Sequence, residues 1–340
     1  MKFVGIDLHK KSITLCVLDH DRATLTTRTF ACCEVEKITT FFAGLGPFQA
    51  VVEATAGYEW LLQLLDPLAQ RLVLAHPGKL RIIAQSTRKS DKFDARVLAE
   101  FLALDMIPES YRPTPRQREH RALVRHRQFL MKERTQLRNK IRRILADYNA
   151  DRRDLFSRAG LEALPSIPLN PIHRFIVGQM LDQLQALETQ RQELQKQLRG
   201  FAKQGGEREA QDRELLQSLP GVGEVTSEVV LAEIGDVQRF RSAKQVVAYA
   251  GLAPGRRESA GKARDLGITK AGSGLLRWVL VEASWRAVRG SMHWRGIYER
   301  LKLRRGGRRA IVAVARRLRE VMVALLRSRQ VYQEGLSAAV

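Results

Sequence analysis

Two short apolar runs in the first third of the chain end on a carboxylate. Phe3-Val4-Gly5-Ile6 stops at Asp7, and Val51-Val52 stops at Glu53. Runs of this length read as buried strands, and a carboxylate closing one is carried to the sheet edge where open α/β sheets bind ligands. Strands are predicted over 2–7, 12–19, 23–31, 49–53 and 71–75. Helical patterns are predicted over 35–45, 58–69, 79–85 and 91–104. Strands mixed with helices in this order imply an α/β domain around a central sheet, over residues 1–110.

Asp91 and Asp94 lie three apart at the start of the last of these helices, so they share a face. A strand-end Asp or Glu is by itself ordinary turn chemistry, and Asp91 alone fits an N-cap. Four carboxylates converging from three elements are different. They repel one another, and burying them unpaired is costly. A hard divalent cation such as Mg²⁺ removes the conflict, since it takes carboxylate, water and phosphate oxygens. Two such ions can stabilise both the attacking and the leaving oxygen of a phosphoryl displacement.

The charge is distributed to match. The 340 residues carry a formal net charge of +22, yet residues 1–110 hold 13 Lys/Arg against 13 Asp/Glu. The whole excess falls on 111–205 and 206–340, each with a net charge of +11. Such an excess predicts a polyanionic partner. No apolar run is long enough to span a bilayer, and Asp7 interrupts the first residues too early for a secretory leader. Three cysteines (Cys16, Cys32, Cys33) suit neither a disulfide framework nor a zinc site, so a bacterial cytosol, at the nucleoid, is the expected location.

After residue 110 the period changes. Leu123, Leu130, Leu137 and Ile144 recur every seven residues, as do Met180, Leu187, Leu194 and Phe201. These heptads predict a basic coiled-coil segment over 111–205, an ordinary amphipathic helix pair being the alternative. Gly205-Gly206 then opens a nearly all-helical domain over 206–340. Within it, Leu216–Asp236 reads as a helix, a Pro-Gly-Val-Gly turn and a second helix. It resembles a helix-hairpin-helix element in which Gly221 and Gly223 let backbone N–H groups approach a phosphate. The stretch 246–285 is rich in Gly, Arg and Lys and reads as a loop pressed on a phosphate backbone. Its candidate contacts are Arg256, Arg257, Lys262, Arg264, Lys270 and Arg277.

The segments GIDLHK (5–10), VVEATAGYEW (51–60) and SDKFDARVLAEF (90–101) resemble the acidic blocks of the DEDD insertion-sequence transposases of the IS one-ten family, related to the Piv-type DNA invertases. The stretch 246–285 resembles that family's C-terminal block. The resemblance implies an RNase H-like (RuvC-like) N-terminal domain with Asp7, Glu53, Asp91 and Asp94 as a metal site for Mg²⁺, for which Mn²⁺ can substitute. It puts Ser259 at the position of a serine nucleophile that joins covalently to DNA. Here Ala260 follows the serine where the family pattern has glycine, and Ser273 is the second serine on offer. The resemblance further implies donor and target DNA, a structured non-coding bridge RNA as guide, and a homodimer or homotetramer. Two other readings stay open from the residues alone: a metal-dependent junction resolvase with no covalent serine step, and a non-catalytic nucleic-acid scaffold.

Overall fold

The computed structural model describes residues 1–55, 57–83, 91–259 and 262–334; within these, the side chains of 81–83, 91–93, 243–244, 256–259 and 262–265 are not described. The chain divides into two compact units, Met1–Arg112 and Pro113–Val340.

The first unit contains β1 (Lys2–Leu8), β2 (Ser12–Leu18), β3 (Thr24–Ala31), α1 (Val35–Ala43), β4 (Phe48–Glu53), α2 (Glu59–Leu65), β5 (Arg71–Ala75), α3 (Pro77–Ile83) and α4 (Asp91–Ala103). The strands form one five-stranded sheet in the order β3-β2-β1-β4-β5. β1, β2 and β3 are antiparallel neighbours, while β4 runs parallel to both β1 and β5. The apolar runs are therefore the central strands, and Val4, Ile6, Ala50, Val51 and Val52 are fully buried. One face of the sheet is covered by α1 and α2 through Ile38, Phe42, Leu61, Leu62 and Leu65. The other face receives Leu98 and Leu102 of α4.

Gly5 sets how closely α4 lies on the sheet. A Cβ at this position would sit 2.0 Å from the Ala95 carbonyl oxygen and 2.4 Å from the Ala99 nitrogen. Ala95 and Ala99 are fully buried, so small residues on both sides bring the helix backbone onto β1.

The second unit contains α5 (Pro115–Ala146), α6 (Arg158–Glu162), α7 (Pro171–Lys203), α8 (Glu207–Gln217), α9 (Glu224–Ile234), α10 (Ala243–Tyr249), β6 (Pro254–Ser259), β7 (Lys262–Ile268), α11 (Gly274–Gly290), α12 (Met292–Arg305) and α13 (Gly307–Ser328). α5 and α7 start alike, with a side-chain N-cap (Thr114, Asn170) followed by Pro, an arrangement that pre-sets the first turn. They pack antiparallel: Tyr148 beyond the end of α5 meets His173 at the start of α7, and Arg116 near the start of α5 reaches Phe201 near the end of α7. Val124, Leu130, Leu194 and Leu198 join the core of the C-terminal helices, whereas Ile141, Leu145 and Val177 close a separate small cluster.

The stretch 246–285 departs from its loop reading. Pro254–Ser259 and Lys262–Ile268 pair as an antiparallel two-stranded ribbon. Neither strand alternates apolar and polar residues, so the period-2 signal that marks a half-buried strand is missing. Two glycine contacts and one arginine build its base. At Gly251 (φ 65°) a Cβ would sit 1.9 Å from the Ala271 carbonyl oxygen, and at Gly272 (φ 81°) 2.0 Å from that of Tyr249. Arg277 then gathers the carbonyls of Ala250, Ala271 and Gly272 on one guanidinium nitrogen, at 3.3, 3.2 and 3.3 Å.

Candidate metal centre and serine-bearing hairpin

The register of the sheet places the first two carboxylates side by side. Ile6 pairs with Val52 across the parallel β1–β4 ladder, so Asp7 and Glu53 are the next residues on adjacent strands. Asp94 arrives from α4, one residue before the Ala95 that touches Gly5. Glu53 feels the assembly: burial raises its carboxyl above the ordinary value, and the charges of Asp7 and then Asp94 raise it further. Three of the four acids are thus within electrostatic reach. Asp91 is the first residue of α4, one turn before Asp94, and its side chain lies outside the described residues.

His9 is part of this cluster, although the sequence pattern alone did not single it out. Its Nε2 lies 3.0 Å from Asp7 Oδ2, with Asp7 14% and His9 50% exposed. The signal was present, because positions two apart at the end of a strand point to the same face.

An all-carboxylate donor set on a half-buried edge fits a hard divalent cation and does not suit a soft one. Among the described residues, the trio whose ligand atoms lie within 4.8 Å of one another is a different one, Asp19, His20 and Asp21. That trio is turn chemistry. Asp19 Oδ1 accepts the backbone N–H groups of Asp21 and Ala23 at 2.9 and 2.8 Å, and His20 and Asp21 are each 75% exposed.

Ser259 closes β6 and pairs through the backbone with Lys262 at the start of β7. Ala260 and Gly261 lie outside the described residues, as do the side chains of Ser259, Arg256, Arg257, Lys262 and Arg264. Ser273 serves its own helix, since its Oγ accepts the Leu276 N–H at 3.2 Å as the N-cap of α11. Lys270 is exposed, in a left-handed conformation (φ 55°) after the ribbon. Gly221 (φ 83°) is pressed against α11, where a Cβ would sit 2.5 Å from the Ala287 nitrogen, while Gly223 opens α9 with free space around it.

Sheet order, acid set and helical second unit are compatible with a DEDD transposase, an enzyme that cuts and rejoins DNA. A transposase family model matches residues 4–150 and spans the acidic positions. A second model, described as the transposase IS116/IS110/IS902 family, matches residues 213–299 and spans the β6–β7 ribbon. The transposase of insertion sequence element IS1111A from Coxiella burnetii is 27% identical over 98% of this chain and 92% of its own. That of IS1328 from Yersinia enterocolitica is 25% identical over 83% of this chain and 82% of its own. The chain belongs to the IS110 family of insertion-sequence transposases. A DEDD domain implies use of a divalent metal, and transposition implies binding to DNA. No described helix is long and apolar enough to cross a membrane.

Proposed function

We propose that the first unit is an RNase H-like catalytic domain in which Asp7, Glu53, Asp91 and Asp94 hold Mg²⁺, as a pair of ions. The observation that carries this reading is the β1–β4 register, which sets Asp7 and Glu53 side by side at adjacent strand ends, with Asp94 brought in by the α4 residue that packs on Gly5; the raised carboxyl of Glu53 agrees with it. Bound cations of this kind stabilise charge on the attacking and departing oxygens of a phosphodiester. The chain's own part is positional. β1 and β4 hold Asp7 and Glu53 at the strand ends, α4 supplies the other two acids, and His9 steadies one oxygen of Asp7.

Ser259 is the proposed nucleophile. An Oγ–P bond forms as the P–O bond to one flanking sugar oxygen breaks, and the serine proton passes to the departing oxygen. The phosphoserine ester keeps the bond energy for rejoining, so one exchange becomes two transesterifications. Two features support the choice of Ser259 over Ser273. Ser259 closes β6, in a ribbon whose base is clamped by Arg277, and Ser273 is engaged as an N-cap.

A structured non-coding RNA guiding donor and target DNA, the α8–α9 hairpin as a helix-hairpin-helix, α5–α7 as a coiled coil, and a homodimer or homotetramer complete the proposal. Gly223, Arg256, Arg257, Lys262, Arg264 and Lys270 are proposed nucleic-acid contacts. Gly221 and Arg277 are proposed to shape that surface from beneath. Ser259→Ala tests the chemistry. It is expected to abolish strand exchange and any covalent protein–DNA species while leaving metal binding intact. If the variant still cuts DNA at the wild-type rate, the resolvase reading replaces this one.

A further inference from the structure

We infer that the hairpin of α12 and α13 is a docking surface for the phosphate backbone of duplex DNA. α12 ends and α13 begins at Gly306 (φ 74°). Arg300, Arg304 and Arg305 lie on the last turns of α12, Arg308 and Arg309 on the first turn of α13, and Arg317 further along it; all six are exposed. An open groove of about 520 Å³ is lined by Arg300, Arg304 and Arg317 together with Ile297 and Leu301.

Among the described residues, no acid pairs with any of these six arginines. The nearby Glu299 is engaged by Lys302 at 3.4 Å. Beside them, burial lowers the pKa of Arg316 and the charge of Arg305 lowers it further, with Glu320 acting in the opposite sense. Arg308 and Arg309 also break a local rule. The N-terminal end of a helix carries positive partial charge and favours acids, yet the first turn of α13 contains no acid and its cap residue is a glycine without a side chain. A local conflict of this kind marks a surface kept for a partner rather than for stability. An array of phosphates answers both the unpaired guanidinium groups and the uncapped helix end.

Neither helix offers the stacking platform that a single strand needs. Single strands are held by stacking on exposed aromatic rings, but Trp294 and Tyr298 of α12 are buried and α13 has no aromatic residue.

The inference rests on the transposase reading only for the kind of polyanion, and its test avoids the chemistry altogether. The full chain carrying Arg304→Gln, Arg308→Gln and Arg309→Gln is titrated with a duplex of arbitrary sequence by fluorescence anisotropy, in EDTA, between ~50 and ~200 mM salt. The log–log salt slope is expected to fall by about 2 to 3, with affinity down about tenfold or more at ~100 mM whatever the sequence. Lysine at the same three positions is expected to retain the slope, and the glutamine variant is expected to melt no lower than wild type. An unchanged slope and affinity, or a loss confined to an RNA hairpin used in parallel, overturns the proposal. Because EDTA removes the metal, an Asp7→Asn chain is expected to bind duplex as wild type does, so failure here is separable from failure of the metal site.

Discussion

At the scale of single residues, the smallest one carries the heaviest constraint. Gly5 lies between two strand residues whose apolar character explains the strand but not the glycine. Its reason is the α4 backbone at 2.0 Å from a Cβ that is not there. Gly5→Ala must push α4 outward, and Asp94 moves with it. The expected result is a loss of about 1–3 kcal/mol of stability, typical of overpacking, together with weakened binding of divalent metal. Thermal melts with and without Mn²⁺ check this, and a variant that keeps both wild-type values removes the argument. Asp7 and Glu53 were legible in the sequence because an apolar run that stops on an acid is a local signal, and Asp94 through its three-residue spacing from Asp91 at a helix start. Gly5 was not, because its partner is ninety residues away and a glycine in a strand has several explanations. His9 carries the same kind of local signal, since its link to Asp7 needs only the two-residue strand period.

At the scale of elements, α5 is fastened to α9 by charge as much as by apolar contact. Gln117 and Arg121 donate to the Ala232 carbonyl at 3.0 and 2.9 Å, and Arg125 grips the Glu233 carboxylate at 2.8 and 3.0 Å. His120 and Arg213 both meet Glu228, at 2.6 Å each, in a site where all three side chains are at most 11% exposed. Burial alone would raise the Glu228 carboxyl, but the bonds from His120 and Arg213 outweigh it and hold the group below its ordinary value of 4.5. Glu209 is held down by Arg116 in the same way. A depressed carboxylate binds fewer protons in the folded state. Its stabilisation is therefore present above about 4.5 and is lost as pH falls through the lower folded value. Glu228→Gln is expected to cost about 3 kcal/mol at neutral pH, since it leaves the buried Arg213 guanidinium with only the more distant Glu209, at 3.6 Å, as counter-charge. It is also expected to flatten the acid limb of stability below pH ~4.5. Denaturant melts across that range measure both, and an unchanged acid limb would show that Glu228 does not carry it. The sheet elements followed closely from pattern, because buried central strands leave continuous apolar runs. The β6–β7 ribbon did not, because it is held by glycine contacts and the Arg277 clasp at its base and buries no alternating face.

At the scale of the whole molecule, the net charge of +22 overstates the cationic surface. Arg116, Arg125 and Arg213 are paired within the fold, and Arg277 is taken up by backbone carbonyls. What remains uncompensated is concentrated, the α12–α13 hairpin being the clearest case. Residues 1–110 have the opposite character: their charge is balanced in sum but gathered locally as acid at one sheet edge. On the proposed reading this edge is a divalent-metal site built by β1, β4 and α4. Its most direct test is a calorimetric titration of the full-length wild type and of Asp7→Asn and Asp94→Asn with Mn²⁺ in the absence of nucleic acid, each chain first shown to melt as wild type does without metal. Saturable binding by wild type and its loss in both variants are expected. Equal binding by all three chains would contradict that reading.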